Sequence, residues 1–265
     1  MFFSPIAAVN GSEGYRISVA MLKTESIEIE RYSRVVILTG AGVSAASGLP
    51  TFRGPDGLWQ EDVQWLSDAA NLPESLPALW KFYGGRRSDI LAAQPNAAHL
   101  AIAKLQQQCQ GKRTVTLVTQ NVDGLHQRAG SLDVLELHGS LLRTRCTNPD
   151  CSLTPFQDEK VLEGVPLCTI CGSALRPDIV LFGEALPVEA QWRAKQALRE
   201  CDLFIAVGTS GTVSPASDFV RNAAYAGART ILVNLTPMIP RHPDFQEEYL
   251  GKAEELLPVL LHAQS

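Results

Sequence analysis

The chain has 265 residues, enough to bury a large core as one domain or as one domain with a small module. Its apolar fraction of 45% and charged fraction of 19% are those of a globular protein, which excludes general disorder. A net charge of −5 gives no electrostatic footprint for nucleic acid or an anionic membrane, and no run approaches the roughly 20 apolar residues of a spanning helix.

The opening stretch MFFSPIAAVN lacks the basic n-region and the long apolar segment of a secretory signal. Met21 lies shortly before the first convincing strand, so residues 1–20 read as a loose tail or an over-long start, without function. Five short apolar runs are then predicted as strands: Arg34–Thr39, Thr114–Thr119, Val134–Leu137, Asp202–Val207 and Thr230–Asn234. They read as continuous apolar runs rather than strict alternation, as strands buried on both faces do. Helical patterns fall between and after them, near 77–92, 96–109, 188–200, 214–226 and 252–262. Pro95 and Pro215 stand where a first helical turn tolerates proline. This alternation predicts an α/β fold, an open, Rossmann-like, doubly wound parallel sheet. Two insertions interrupt it, one helical at about 60–110 and one cysteine-bearing at about 141–176.

Directly after the first strand, Gly40-Ala41-Gly42-Val43-Ser44-Ala45 fits G-x-G-x-x-G/A. Glycines there permit a tight turn and let backbone N–H groups approach a pyrophosphate at a helix start. An ordinary dehydrogenase would show a second strand with an acidic ribose ligand about 20 residues on. Instead the chain runs from Pro50 to Trp59 as a proline- and glycine-rich loop, a mobile lid carrying Phe52, Arg53 and Trp59. Arg53 would neutralise phosphates and Phe52 would exclude water from a reactive ribose carbon. On loop composition alone, a surface loop pinned by its aromatics is the better reading.

The strands end in small polar or ionisable residues: Gln120-Asn121-Val122-Asp123, His138-Gly139-Ser140, Gly208-Thr209-Ser210 and Asn234-Leu235-Thr236. Ligands bind beyond the carboxyl ends of parallel strands, and packing does not explain four such ends. A lone histidine at a strand end is usually a satisfied one. With Asn121 and Asp123 on the adjacent end, His138 becomes a candidate general base near neutral pH.

Of six cysteines, Cys109 and Cys201 lie in apolar contexts and read as small buried hydrophobes. Cys146-x4-Cys151 and Cys168-x2-Cys171 form two close pairs, which in a chain without a signal peptide favour metal over disulfides. Four thiolates suit tetrahedral zinc and leave no open position for chemistry. The polar segment between the pairs is too short to fold without such a staple.

Taken together, GAGVSAASGLPTFRGPDGLW (40–59), TQNVDGLH (119–126), LHGS (137–140), the four cysteines, IVLFGE (179–184), VGTS (207–210) and VNL (233–235) resemble the sirtuin family, from about Arg34 to about Leu260. The resemblance implies a catalytic domain at 31–262 after an extension at 1–30, with large Rossmann-like parts at about 31–59, 111–140 and 177–262. It implies an NAD-consuming protein-lysine deacylase with a small zinc module and a cleft between its two parts. The acyl oxygen of a modified lysine would attack the nicotinamide ribose carbon, with His138 then acting as base on a ribose hydroxyl. The products would be free lysine, nicotinamide and O-acyl-ADP-ribose. Asn121 would orient the ribose, and Asp123 with Val122 would hold the nicotinamide amide. Gly40, Ala41, Gly42, Ala45, Phe52, Arg53, Trp59, Gln120, Gly208, Thr209, Ser210, Asn234, Leu235 and Ala253 would line the dinucleotide. Val180, Phe182, Gly183 and Glu184 lie in a segment that would pair as a strand with the substrate peptide.

A finer resemblance is to the class III branch, through Tyr83 and Arg86, whose Tyr-x-x-Arg spacing that branch uses for acidic acyl groups. Residues i and i+3 share a helix face, so the arginine can grip a succinyl or malonyl carboxylate while the tyrosine donates its hydroxyl. The bland alternative is a solvated Arg86-Arg87 pair. Two departures stand out: Ala46 where many relatives carry an acidic residue, and a divergent stretch between Trp59 and Tyr83. Competing readings are an ADP-ribosyltransferase, a silent NAD-binding module and, less well, a zinc-finger nucleic-acid reader. The expected partners are acyl-lysine proteins, with no nucleic acid and no membrane; the expected place is the cytoplasm. The oligomeric state stays open and a monomer is compatible.

Overall fold

The computed structural model describes the backbone of residues 16–19 and residues 25–51, 61–161, 164–210 and 218–262. Phe52, Arg53 and Trp59 of the expected lid, and Pro215, lie outside them. The strands are β1 (Arg16–Val19), β2 (Arg34–Thr39), β3 (Thr114–Thr119), β4 (Leu135–Glu136), β5 (Gly139–Cys146), β6 (Phe156–Gln157), β7 (Leu175–Ile179), β8 (Leu203–Val207), β9 (Arg229–Asn234) and β10 (Glu247–Leu250). The helices are α1 (Glu61–Leu66), α2 (Leu72–Ala92), α3 (Ala97–Cys109), α4 (Leu125–Arg128), α5 (Val188–Glu200), α6 (Phe219–Tyr225) and α7 (Ala253–Leu260).

Side chains alternate across a strand, and β2 shows what that does in a sheet covered on both faces. Val35 and Ile37 pack with Ile102 and Leu105 of α3 and Leu256, Leu257 and Leu260 of α7. Val36 and Leu38 point the other way, into Ala194 and Leu198 of α5 and Phe219, Val220 and Ala223 of α6. The sheet has seven strands in the order β1-β10-β9-β8-β2-β3-β4, and every pairing is parallel. From β2 the chain moves to β3 and β4 on one side, while β8, β9 and β10 run out on the other. The crevice beyond the carboxyl ends of β2 and β8 is therefore a topological switch point.

The expected doubly wound sheet is present, with two strands that the apolar runs did not mark. β10 is EEYL, polar because Glu247 takes a bidentate pair from Arg229 of β9, at 2.6 and 2.9 Å. The expected loose tail is corrected at 16–19, where β1 lies parallel to β10 and satisfies its outer edge. Helix α2 begins at Leu72, earlier than the expected 77, because Pro73 suits the first turn and Pro77 removes only one bond.

A second, three-stranded sheet has the order β6-β5-β7 and is antiparallel. It shares one core with the helical insertion: Leu76, Leu79, Trp80 and Ile90 of α2 pack with Leu141, Leu142, Cys146, Leu175 and Ile179. The Trp80 indole donates to Leu175 O at 2.8 Å. Arg87, 1% exposed, binds this sheet through its whole guanidinium, to Leu141 O, Arg143 O, Lys160 O, Thr144 Oγ1 and the Asp158 carboxylate. The two insertions thus make one lobe.

Candidate active site and metal site

At the switch point the loops after β2 and β8 press backbone against backbone. Gly42 N donates to Gly208 O at 2.9 Å, and Gly40 N to Val207 O at 2.9 Å. A Cβ on Gly42 would lie 2.7 Å from Gly208 Cα, and one on Gly208 (φ +60°) 2.6 Å from Val43 N. The glycines are demanded first by this crossing. The turn leads into a 3-10 helix, Ala41–Ser47, whose Ala45 and Ala46 are exposed.

Ser44 is the node of a buried network. It donates to Asp123 Oδ2 at 2.7 Å and accepts from Asn121 Nδ2 at 3.2 Å. Asn121 Nδ2 also reaches Gly40 O at 3.1 Å. His99 caps α3 by accepting the Asn96 N–H at Nδ1 (3.3 Å), which leaves its protonated Nε2 toward Ser44 Oγ at 3.4 Å. Asp123 Oδ1 takes the Leu125 N–H at 2.9 Å. Burial raises the Asp123 pKa, opposed by these donors and by the charges of Arg86 and Arg128. Beneath lies His126, its Nε2 2.9 Å from Thr39 Oγ1, whose own proton goes to Thr119 Oγ1. The two imidazoles stand 4.8 Å apart. Burial pushes His99 down to about 4 and His126 to about 3, so both are neutral. Sequence reasoning gave no role to Ser44, His99 or His126; the available signals were a serine in the glycine loop and a histidine at N3 after an Asn cap.

His138 stands between β4 and β5. Its Nδ1 lies 2.8 Å from Gln120 O; a carbonyl can only accept, so Nδ1 carries the proton and Nε2 holds a lone pair. Burial lowers its pKa, partly offset by that bond. Gly139 places it: φ is +75° and a Cβ there would be 2.1 Å from Asp178 O of β7. Nearby, Gln120 Nε2 reaches Thr209 Oγ1 at 3.4 Å, and Asn234 Nδ2 donates to Thr209 O at 3.0 Å. Gly251 N donates to Asn234 O just ahead of Ala253, while Leu235 is exposed. Gln120, Asn121, Asp123, His138, Thr209 and Asn234 thus gather along one edge of the sheet.

Tyr83 and Arg86 of α2 are buried, 4% and 9% exposed, and Arg87 is more so, which overturns the solvated arginine pair. Tyr83 OH lies 3.1 Å from Ser67 Oγ. Burial lowers the Arg86 pKa, opposed by the charges of Asp89, Tyr83 and Asp123. In the segment expected to dock a peptide, some groups are already engaged. Val180 N donates to His138 O, and Phe182 bridges Ser67 and Ala69 through its N and O at 2.7 and 2.9 Å. Glu184 Oε2 holds its own loop, accepting Leu181 N at 2.9 Å and Arg176 at 2.7 Å. Exposed Gly183 (φ +84°) stands at the turn.

Cys146, Cys151, Cys168 and Cys171 bring their sulfurs within 4.8 Å of one another, with contacts of 3.5 and 3.6 Å. Zinc–sulfur bonds of about 2.3 Å in a tetrahedron separate sulfurs by about 3.8 Å. Backbone N–H groups of Asn148, Leu153 and Ile170 point at three of the sulfurs, and Ser173 pushes the Cys171 thiol down to about 6. The cluster fits one structural zinc, with no position left for a substrate. Cys109 and Cys201 are buried apart from it.

Among the described residues, no helix is long and apolar enough to cross a membrane. Comparison with known proteins agrees with this geometry. The Sir2 family description matches residues 40–215. NAD-dependent protein deacylase 2 of Pyrobaculum aerophilum is 46% identical, over 85% of this chain and 89% of its own. NAD-dependent protein deacylase 1 of Pseudomonas aeruginosa is 45% identical, over 86% and 93%. A solved Sir2 homologue in complex with NAD superposes with a TM-score of 0.80 at 39% identity, covering 88% of this chain and 90% of that one. The chain belongs to the Sir2 family, the sirtuins.

Proposed function

We propose that this chain is an NAD-dependent protein-lysine deacylase of the cytoplasm that removes acetyl and acidic acyl groups, succinyl and malonyl. Its catalytic unit spans 31–262, and the products are nicotinamide, O-acyl-ADP-ribose and free lysine. The observation that carries the reading is His138, whose Nδ1 proton is committed to Gln120 O and whose Nε2 is left basic. A general base needs such a lone pair and a pKa at or below the working pH.

The buried polar set at the switch point fits a dinucleotide: amides of Gln120, Asn121 and Asn234, hydroxyls of Ser44 and Thr209, and the Asp123 carboxylate. When bound, NAD supplies an electrophilic ribose carbon with nicotinamide as leaving group. Asn121, held by Gly40 O and Ser44, orients the ribose, and Asp123 accepts from the nicotinamide amide beside Val122. The glycine loop, Ala41, Ala45, Ser210, Leu235 and Ala253 line the remainder, with Phe52, Arg53 and Trp59 of the lid. Gly183 and Glu184 offer main chain to the peptide beside Val180 and Phe182. Tyr83 and Arg86 supply a hydroxyl and a buried cation for an acyl carboxylate, and a buried arginine suits an anion.

The test is mass spectrometry of acetyl-, succinyl- and malonyl-lysine peptides with and without NAD. Deacylation should require NAD and be lost in His138→Ala, and Arg86→Met should lose acidic acyl groups selectively. Nicotinamide release without loss of the acyl group would favour ADP-ribosyl transfer, and nucleotide binding without turnover would favour a silent NAD module.

A further inference from the structure

Ser67 lies between Trp59 and Tyr83, and nothing in its local sequence marks it for a role. Its position is nevertheless fixed from several sides. The Ser67 N–H closes α1, donating to Val63 O at 3.0 Å and sharing with Gln64 O at 3.2 Å. Its carbonyl accepts from Phe182 N at 2.7 Å, and two residues on Ala69 N donates to Phe182 O at 2.9 Å. Asp68 and Phe182 thereby form a parallel bridge between the helical insertion and the peptide segment. A backbone held this way gives the side chain no freedom to drift, and Oγ lies 3.1 Å from Tyr83 OH, both residues buried.

Two hydroxyls in contact own two protons, and one is used between them. Whichever group donates, the pair keeps one O–H for a third partner, and the described residues offer it none. The cation of Arg86 stands one helical turn beyond Tyr83, close enough that each biases the other's ionisation. A neutral acetyl methyl has no use for a spare proton beside a cation, whereas a carboxylate accepts from both.

We infer that Ser67 is a specificity-determining residue: with Tyr83 it presents one preset O–H that, beside Arg86, recognises the carboxylate of an acidic acyl group. This rests on the acyl assignment proposed above. It also makes one residue answer to two parts of the substrate, since the Ser67 carbonyl steadies the peptide segment while its hydroxyl steadies Tyr83.

The experiment measures kcat and KM for succinyl- and acetyl-lysine versions of one peptide in the full-length protein, Ser67→Ala, Ser67→Thr and Arg86→Met. In Ser67→Ala the succinyl-to-acetyl ratio of kcat/KM should fall about ten-fold, through KM for the succinyl peptide, as loss of a hydrogen bond to a charged group does. Ser67→Thr keeps the hydroxyl and should restore most of the ratio. If Ser67→Ala keeps the ratio while Arg86→Met lowers it, the inference fails and the acyl assignment stands. If Arg86→Met keeps the ratio as well, the acyl assignment itself fails. A parallel loss on both peptides, with a lowered Tm, would make Ser67 merely structural and overturn the inference.

Discussion

Gly42 gives its backbone proton to Gly208, and a methyl group on either residue would occupy space already held by the other loop. The crevice proposed for the dinucleotide is thus floored by two main chains in contact. Gly42→Ala and Gly208→Ala should each lower stability by about 1–3 kcal/mol, as overpacking does, and weaken NAD binding as well. Thermal unfolding and calorimetric titration with NAD check both. Wild-type affinity in Gly208→Ala would show that the crossing does not shape the site.

As the proposed base, His138 can act only while neutral. Burial lowers its pKa from the usual 6.5, so kcat/KM should be flat near neutrality and fall on acidification with a midpoint below 6.5. His138→Ala should reduce turnover by about 10²–10⁴ and erase that acid limb. An unchanged profile would assign the limb to another group.

The neutral pair His99 and His126 links folding to pH. Their folded pKa values of about 4 and about 3 lie below the usual 6.5, so the unfolded chain binds more protons between those limits. Their stabilisation is full above about 6.5 and drains away as pH falls toward 4. Denaturant unfolding followed over this window should show the loss, and His126→Gln should make the slope shallower.

A four-sulfur site with no open position should hold its metal without using it. One zinc per chain is expected by elemental analysis. Replacement by cobalt should give a thiolate charge-transfer band and leave kcat within about two-fold, whereas Cys151→Ser should lower Tm. A large change in kcat with cobalt would place the metal in the chemistry.

Arg87 and Asp158 are a buried ion pair, 1% and 8% exposed at the side chain. Removing one partner leaves the other uncompensated, so Asp158→Ala should cost about 3–5 kcal/mol. A cycle of Asp158→Ala, Arg87→Met and the double variant measures the coupling of the pair.

Reading of the sequence went furthest where one physical requirement dominates. β2 and β3 begin and end where expected because their inner residues are buried on both faces and apolar, and α5 spans the expected 188–200 because its apolar residues keep a helical spacing. The cysteine pairs declared themselves because sulfur spacing is set by the metal. β10 stayed hidden because an edge-side strand can carry glutamates once Arg229 meets them. The roles of Arg87 and Ser67 were out of reach for another reason. The partners of Arg87 lie 54 to 73 residues away and meet it only where α2 packs on the small sheet, and Ser67 meets Tyr83, 16 residues on, only where the end of α1 turns back against α2.

β5 begins at Gly139, the residue after His138, and Val180 returns to bind the His138 carbonyl at 3.0 Å. The small lobe is therefore not a cassette clipped onto a finished enzyme. Its outer strand, Phe156 and Gln157, is exposed, but its root is the mounting of His138. A chimera that grafts another metal module at residues 141–176 would have to reproduce the Asp178 and Val180 contacts. Without them the grafted protein would fold its sheet and lose the placement of His138, the proposed base.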